Sequence, residues 1–426
     1  MDVLFLNPRT ELADTSKIFH REPPNGLLTL CAILENAGFD VDFIDLSYKK
    51  ASELKKALVE SPKIVGISSL TNTYHRAMII LKQVKEIFPE VKTLYGGPHA
   101  TFKYAEVLRE NDYVDYILCG EADRTIIQFV NTIINERGQI DGSKIPNLAF
   151  RKDGKIKIFK KYLPINLNEV PLPARHLLNL REYQVGTIIV NRGCSFNCTF
   201  CVRQKIFQKV RLREMKSIVH EIGILSNLGF EFVNLYDNLN ISEEYCLKLC
   251  KNLTESQISL PWGCELRADR ITVNLASALN AAGCKVAAVG IESGDSHVLK
   301  MANKVQDIEE VKKGINALKS MNIAIQAYFI AGLPGETEKS FEKTLQLIKE
   351  LKLEPGFDRV NFFAATPYPG TALYEFPDKY NVKILHEDWD LYDNSHIIMA
   401  LDTLPMENLI KNFERGKEIE REFTSS

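Results

Sequence analysis

The chain has 426 residues, 45% hydrophobic and 25% charged, with 53 lysines and arginines against 55 aspartates and glutamates. Domains usually hold about 100–200 residues, so two or three are expected, and the net charge of -2 argues against long nucleic acids as partners. We expect no signal peptide and no membrane span, because no apolar run reaches about 18 residues. Nine cysteines are too few for a disulfide scaffold and favour a reduced cytoplasmic setting, where they are metal ligands or core thiols.

Short apolar runs alternate with amphipathic stretches over residues 1–137. The predicted helices between the strands include SELKKALVES over 52–61. This alternation is typical of βαβ units, so we predict an α/β domain with a doubly wound, Rossmann-like parallel sheet. Its five predicted strands are DVLFLN, VDFIDL, KIVGISSL, VKTLYGG and DYILCG.

Residues 138–182 break the alternation. Asp153-Gly154 lies between two short β-type runs and predicts a hairpin. Pro164, Pro171 and Pro173 exclude regular helix or central strand from the following stretch, which we interpret as a linker.

Six further strand–helix steps occupy residues 183–375 and predict a partial (βα)6 barrel of the TIM type. Residues 376–426 are less regular and end in a charged surface helix. The four predicted segments are therefore 1–137, 138–182, 183–375 and 376–426.

Ligands of doubly wound domains bind beyond the carboxyl ends of the strands. Small and polar residues at those ends would suit a large planar ligand, and the composition leaves FMN, a nucleotide or a receiver-like phosphate site open. The predicted binding residues are Asn7, Pro8, Asp45, Ser68, Ser69, Leu70, Thr71, Gly96, Gly97, His99, Gly120 and Glu121.

Three cysteines, Cys194, Cys198 and Cys201, follow the first predicted barrel strand in the spacing C-x3-C-x2-C. Four thiolates would close a structural metal site, whereas three leave a coordination position open for a reactant. A zinc site with a distant fourth ligand and a chance group of core thiols are the alternatives. The loop lies where barrel active sites are found.

This loop, with Phe200 beside the third cysteine, resembles that of the radical S-adenosylmethionine (SAM) enzymes. The resemblance implies that the three cysteines hold a [4Fe–4S] cluster whose fourth iron binds SAM. It extends to GIESGDSHVLKMANK at the fourth barrel strand and YFIAGLPGET at the fifth. By the same resemblance the predicted SAM-binding residues are Phe200, Asp237, Glu265, Arg267, Glu292, Ser293, Gln326 and Gly332.

The N-terminal motifs SSLT, GGPHAT and ILCGEADRT resemble the cobalamin-binding domain that precedes many radical SAM barrels. The sequence lacks D-x-H-x-x-G, whose histidine binds cobalt from below in other cobalamin domains. The resemblance therefore implies that the loop Leu70-Thr71-Asn72 faces the lower side of the corrin and that His99 is a pocket wall or hydrogen-bond partner. A receiver-like domain is the alternative.

Together these resemblances imply a cobalamin-dependent radical SAM methyltransferase. It would transfer methyl from methylcobalamin to an unactivated carbon after hydrogen abstraction by the 5′-deoxyadenosyl radical. No catalytic side chain is identified. The compact chain resembles small methylases of methanogenic archaea, one of which modifies a glutamine of methyl-coenzyme M reductase, so the substrate is a protein side chain or a small molecule.

Two other functions stay open at this point. One is a cobalamin-dependent radical SAM cyclase or oxidase that transfers no methyl, and the other is a non-enzymatic metal- or ligand-binding protein. A radical SAM enzyme also requires a reducing electron donor and an anoxic cytoplasm.

Overall fold

The computed structural model describes residues 1–8, 22–47, 54–55, 58–135, 144–161 and 163–424, without the side chain of Asp237. The predicted helix over 52–61 lies partly outside these residues. The chain divides into two compact units, Met1–Tyr183 and Gln184–Ser426. No helix in the described ranges is long and apolar enough to cross a membrane.

The first unit is built on a sheet of seven strands in the order β2-β1-β3-β4-β5-β6-β7. The first five strands pair in parallel, which confirms the predicted doubly wound sheet. Its strands are β1 Val3–Asn7, β2 Val41–Asp45, β3 Ile64–Ser68, β4 Lys92–Gly96, β5 Tyr116–Leu118, β6 Leu148–Lys152 and β7 Lys155–Ile158, and its helices are α1 Asn25–Asn36, α2 Tyr74–Ile87, α3 Pro98–Glu110 and α4 Ile126–Asn135.

The predicted hairpin, β6–β7, extends this sheet antiparallel to β5. Asp153 and Gly154 take the positive φ angles of 52° and 68° that a tight hairpin turn needs. Arg151 fixes the added strand, because its guanidinium donates at 2.8 Å to the carbonyls of Leu108 and Val114. The hairpin is therefore part of the first unit.

The second unit contains six parallel strands in the order β15-β14-β13-β12-β11-β8, as expected for a partial (βα)6 barrel. Two short antiparallel pairs, β9–β10 and β16–β17, lie outside this sheet. The strands of the second unit are β8 Val185–Ile189, β9 Asn191–Arg192, β10 Arg211–Leu212, β11 Phe232–Asn238, β12 Trp262–Arg267, β13 Cys284–Glu292, β14 Ala324–Ala331, β15 Arg359–Ala364, β16 Val382–Ile384 and β17 Met399–Leu401. The helices of this unit are α5 Arg203–Phe207, α6 Met215–Asn227, α7 Glu243–Ser256, α8 Val273–Ala281, α9 Ser296–Met301, α10 Ile308–Ser320, α11 Glu338–Leu351, α12 Ala372–Glu375 and α13 Met406–Thr424.

The two faces of the barrel strands differ in burial. Along β14 every second residue is buried, and Phe329 on that face stacks on Phe362 at 5.3 Å, with Phe341 of helix α11 beside it. That face is therefore covered by helices. The intervening residues, such as Gln326 and Tyr328, are half-buried and line the concave side of the sheet.

The edge strand β15 is covered by the last helix, α13. The backbone N–H of Phe362 donates to a carboxylate oxygen of Glu420 at 3.1 Å, and Lys417 donates to the Phe362 carbonyl at 3.4 Å. Gly416 allows the approach, because a Cβ there would lie 2.6 Å from the Phe362 ring. An open strand edge needs such cover to stay soluble and unpaired with other chains.

Candidate functional site

The carboxyl ends of β1 and β2 meet through their polar side chains. Asn7 and Asp45 are partners in the strand register, and the Asn7 amide donates to Asp45 Oδ1 at 3.1 Å. The backbone N–H of Ser47 donates to the same oxygen, and the Tyr183 hydroxyl donates to Asp45 Oδ2 at 2.8 Å. Buried Asp45 therefore ties the end of the linker to the sheet, and its contact with a cofactor stays a prediction, as does that of Pro8 beside it.

The ends of β3 and β4 come into very close contact. Ser68 and Gly96 are register partners, and buried Ser69 shares a 2.6 Å hydrogen bond with the Tyr95 hydroxyl. Gly97 has a φ of 100°, and a Cβ there would lie 2.5 Å from the Ser69 carbonyl oxygen. Only glycine meets both conditions, so this corner presents backbone rather than side chains.

The loop after β3 presents an apolar side chain to solvent. The Leu70 side chain is 55% exposed, and its backbone N–H donates to the Thr73 hydroxyl at 3.1 Å. Thr71 is buried and Asn72 half-buried in the short 3-10 turn that follows. The exposed leucine is an apolar surface next to the carboxyl end of β3, and its contact with a large ring stays a prediction.

His99 lies at the start of α3 and is almost fully buried. Its ring stacks on Tyr74 with 4.5 Å between ring centroids. Burial, with Lys103 and His75 adding to it, lowers the pKa of His99 to about 3, so its imidazole is neutral at physiological pH. Its predicted role as a pocket wall or hydrogen-bond partner for cobalamin stays a prediction.

One hydroxyl that sequence reasoning missed joins two of the predicted loops. Thr101 donates to the Gly97 carbonyl at 2.8 Å and accepts from the Gly120 N–H at 2.8 Å. Thr101 lies inside the motif GGPHAT, and this position was the one signal in the sequence that could have identified it. A threonine on a helix gives no indication of its distant partner. Glu121 follows Gly120 at the same sheet edge and is half-buried.

In the second unit, the three cysteines follow β9 on one loop. Cys194 and Cys198 are half-buried and Cys201 is exposed. Burial raises the pKa of Cys198 to about 11, while the charge of Lys304 opposes that shift. Within the described residues, the three sulfurs are not all within 4.8 Å of one another. A single zinc with Zn–S bonds of about 2.3 Å would draw them closer, whereas a cluster offers each thiolate a different iron.

Contacts from distant parts of the unit hold the cysteine loop. The N–H of Thr199 donates to the Ala302 carbonyl at 2.9 Å, and the Asn303 amide donates to the Asn197 carbonyl at 2.7 Å. At the start of the loop, Gly193 has a φ of 94°, and a Cβ there would lie 2.4 Å from a backbone oxygen. These contacts fix the backbone of the loop to other parts of the second unit.

A buried ion pair stands at the end of β12. Two nitrogens of Arg267 donate to the two oxygens of Asp269 at 3.0 Å, and one of them also donates to the Val305 carbonyl. The Arg267 guanidinium lies over the ring of Phe196 in the cysteine loop, 4.0 Å from its centroid. The predicted contact of Arg267 with a SAM carboxylate would use its remaining nitrogen, Nη1.

A second buried ion pair stands at the end of β13. Glu292 has a φ of 65° and accepts from Lys304 at 2.5 Å, with less than a tenth of either side chain exposed. Lys304 also donates to the Gly290 carbonyl at 2.9 Å. Sequence reasoning picked Glu292 but missed Lys304, the last residue of the motif that contains both. Ser293, also predicted, is buried and shares a 3.3 Å hydrogen bond with Thr344.

The other predicted residues surround these pairs. Glu265 lies 3.6 Å from Arg203, which follows the cysteines by two residues. Gln326 is on the concave face, and Gly332, with a φ of 87°, donates its N–H to Glu336 at 3.1 Å. Phe200 packs against an apolar cluster behind the loop. The side chain of Asp237 lies outside the described residues.

The remaining six cysteines are buried, as the sequence predicted for core thiols. They lie on helices and strands of both units and carry no exposed sulfur: Cys31, Cys119, Cys246, Cys250, Cys264 and Cys284.

Comparison with known families accounts for both sites. Residues 13–130 match the B12 binding domain, and residues 188–348 match the Radical SAM superfamily. The chain belongs to the cobalamin-binding radical SAM enzymes. Its cofactors are cobalamin, a [4Fe–4S] cluster and SAM, and the predicted N-terminal receiver-like alternative is wrong.

Named relatives of this cobalamin-binding radical SAM enzyme differ in reaction. An uncharacterized methyltransferase of Pyrococcus horikoshii, PH0819, is 27% identical over 425 residues, covering 96% of this chain and 90% of its own. An anaerobic magnesium-protoporphyrin IX monomethyl ester cyclase of Rubrivivax gelatinosus is 28% identical, covering 97% of this chain and 77% of its own.

A solved structure shares the fold of this enzyme. The radical SAM methyltransferase TsrM of Kitasatospora setae, with cobalamin and a [4Fe–4S] cluster bound, has a TM-score of 0.75 and 17% identity. The match covers 99% of this chain and 82% of that one.

The residues of this chain fit those groups on physical grounds. The glycine corner at Gly97 and the exposed Leu70 suit a large ring that is recognised by shape. The separated thiols suit a multi-iron cluster. Thr199, between two of the cysteines, has a buried hydroxyl oxygen without a hydrogen-bond partner in the described part of the chain, so a polar group of a ligand could satisfy it.

Proposed function

We propose that this enzyme transfers a methyl group to an unactivated carbon. The observation that carries the proposal is the loop of three cysteine thiols in a Radical SAM match, on the same chain as a B12 binding domain. When bound, the cluster and SAM supply a radical that abstracts hydrogen, and cobalamin supplies the methyl group. We assign cluster ligation to Cys194, Cys198 and Cys201 and contact with the corrin to the loop Leu70-Thr71-Asn72.

The chain's own side chains orient these groups and exclude competing reactions. Arg267 is paired with half-buried Asp269 and Glu292 with buried Lys304, so both side chains are held in place. Preformed charges of this kind cost no reorganisation when a zwitterionic ligand arrives. The neutral imidazole of His99 adds no charge to the cobalamin edge.

The concave face of the barrel indicates the substrate class. Its strands carry the half-buried polar side chains of Asn234, Tyr236 and Tyr328, with the half-buried carboxylate of Glu265 on β12. We propose that the methylated molecule is a polar small molecule or a polar side chain such as glutamine. An electron donor and an anoxic cytoplasm complete the proposal, because a cluster at exposed Cys201 would be sensitive to oxygen.

A cyclase-type radical reaction is the second candidate, favoured by the named cyclase among the relatives. Product analysis separates the two. The enzyme would be reconstituted anaerobically with iron, sulfide and cobalamin, then given SAM, a low-potential reductant and candidate substrates. A methyltransferase must release both S-adenosylhomocysteine and 5′-deoxyadenosine and must move a labelled methyl group from SAM to its substrate.

The three outcomes of that assay are distinct. Release of 5′-deoxyadenosine with no S-adenosylhomocysteine would contradict methyl transfer and favour a cyclase. Release of neither, from protein with full iron and cobalamin content, would remove the radical mechanism altogether.

A further inference from the structure

A chain of hydrogen bonds joins the last helix to the concave face of the barrel. Glu420, on α13, accepts from the Asn361 side-chain amide of β15 at 3.3 Å, and Asn361 accepts from the Gln326 amide of β14 at 3.1 Å. The other Glu420 oxygen holds the Phe362 backbone N–H and Lys417. Glu420 is 9% exposed and Asn361 and Gln326 are half-buried, so the chain runs from the helix toward the barrel interior.

The carboxylate fixes the direction of every bond in this chain. An ionised carboxylate only accepts, so Asn361 must turn its NH2 group to Glu420 and its oxygen to Gln326. Gln326 must then give its NH2 group to Asn361, which directs its carbonyl oxygen elsewhere. The orientation of an amide is normally ambiguous, but here an acceptor-only group at one end determines both amides.

Gln326 lies on the concave face, since its neighbours Ile325 and Ala327 are buried on the helix-covered side. Its carbonyl oxygen therefore points away from Asn361 and is available, among the described residues, to a ligand bound inside the barrel. An acceptor at this position recognises a hydroxyl or amino donor, and SAM offers both in its ribose and adenine groups.

We propose that Glu420 is a positioning residue for SAM, acting through Asn361 to make Gln326 a hydrogen-bond acceptor. This inference rests on the proposed function, because Gln326 is only a proposed SAM contact. Glu420 itself lies on the outer helix and reaches the ligand only through the two amides.

The Glu420→Gln variant tests the direction of the chain. A glutamine keeps the bond to Phe362 with its oxygen and then offers NH2 to Asn361, which turns both amides over and gives the ligand a donor instead of an acceptor. We expect the dissociation constant of SAM for the reconstituted enzyme to rise about five- to tenfold, the value of one hydrogen bond.

The matched control is Glu342→Gln. Glu342 pairs at 2.5 Å with Arg415 of the same helix α13, but on an exposed surface away from the concave face. Both variants weaken one ion pair of helix α13, so both should lower the melting temperature. Only Glu420→Gln should change SAM affinity.

A double-mutant cycle shows whether the effect passes through Gln326. Gln326→Ala should weaken SAM binding, and adding Glu420→Gln to it should cause no further loss. If Glu420→Gln does not fold, Asn361→Ala carries the test, because it breaks the hydrogen-bond chain and keeps the bond from the Phe362 N–H to Glu420.

The results separate this inference from the proposed function. The positioning role would be overturned by wild-type SAM affinity in Glu420→Gln or Asn361→Ala, or by fully additive losses in the double-mutant cycle. The proposed function would still stand in those cases if the wild-type enzyme forms 5′-deoxyadenosine. A reconstituted wild type that neither binds nor cleaves SAM would instead fail the proposed function.

Discussion

The two sheet edges of this enzyme are built from different chemistry. The edge of the first unit is made of backbone, hydroxyls and a neutral histidine, with the glycine corner at Gly97, the Ser69–Tyr95 hydrogen bond and the Thr101 bridge. The edge of the second unit is made of buried ion pairs, Arg267 with Asp269 and Lys304 with Glu292.

The difference matches the two ligands that the family binds. A corrin is a large ring recognised by shape, and we propose that the backbone corner at Gly97 and the exposed Leu70 bind it. SAM is small and charged, and we propose that the fixed charges of Arg267 and Glu292 orient it. The comparison predicts that steric changes disable the first edge and charge changes disable the second.

The largest effect is expected from loss of a cluster ligand. Cys198→Ala removes one of three thiolates, so we expect the iron content to fall and 5′-deoxyadenosine formation to reach background. Ser195→Ala, an exposed change in the same loop, is the control and should keep both. Full iron content and activity in Cys198→Ala would show that the loop does not hold the cluster.

A large loss of stability is expected from Lys304→Met. The variant leaves the Glu292 carboxylate buried without its partner, and breaking a buried pair in this way costs about 3–5 kcal/mol. Lys312→Met breaks surface pairs with Glu309 and Glu350 and should cost far less, because solvent screens such pairs. Denaturant unfolding compares the two, and equal losses would mean that Glu292 is solvated.

An intermediate effect is expected from Gly97→Ala. The added Cβ meets the Ser69 carbonyl at 2.5 Å in a backbone conformation that alanine disfavours, so the corner must shift. Cobalamin affinity, followed by absorbance titration, should fall at least about tenfold, while iron content stays at the wild-type level.

Gly38→Ala is the control for that variant. Gly38 has a similar φ of 86°, but no atom lies within 4 Å of an added Cβ. It should lose about 1 kcal/mol of stability and bind cobalamin normally. Equal cobalamin loss in both variants would mean that general destabilisation, and not the corner, is responsible.

The smallest effect is expected at Glu336, away from both sets of charges. Burial raises the pKa of Glu336 to about 8, although the Gly332 N–H opposes the shift. In the unfolded chain the pKa of Glu336 is near its ordinary value of about 4.3. Between these two pKa values the Glu336 carboxyl is therefore protonated in the folded state and ionised in the unfolded chain. The free energy of unfolding should fall as pH rises toward about 8, by about 1 kcal/mol between pH 7 and pH 8.

Glu336→Gln cannot ionise and should remove that dependence on pH. It keeps an oxygen for the Gly332 N–H, so the fold should survive. Identical pH profiles of urea unfolding for wild type and variant would show that Glu336 is ionised in the folded enzyme.

The sequence predicted those features that local patterns determine. The alternation of strands and helices, the spacing of Cys194, Cys198 and Cys201, and the glycines at 96 and 97 are all readable within a few residues. Periodicity and turn chemistry act locally, so no knowledge of the rest of the chain is needed.

Partners made by topology could not be predicted in this way. Asp45 meets Tyr183 across 138 residues, and Asn361 meets Glu420 across 59. Each of these side chains has an ordinary sequence context, and only the packing of distant elements brings it to its partner. For the same reason Glu292 was found by its motif, whereas its counter-ion Lys304 was not.

The most direct test of this account measures iron and cobalamin in two reconstituted variants side by side. We predict that Gly97→Ala keeps its iron and loses cobalamin, and that Cys198→Ala keeps cobalamin and loses iron. Loss of both cofactors from either variant, with the protein still folded, would contradict the claim that two physically different edges bind them.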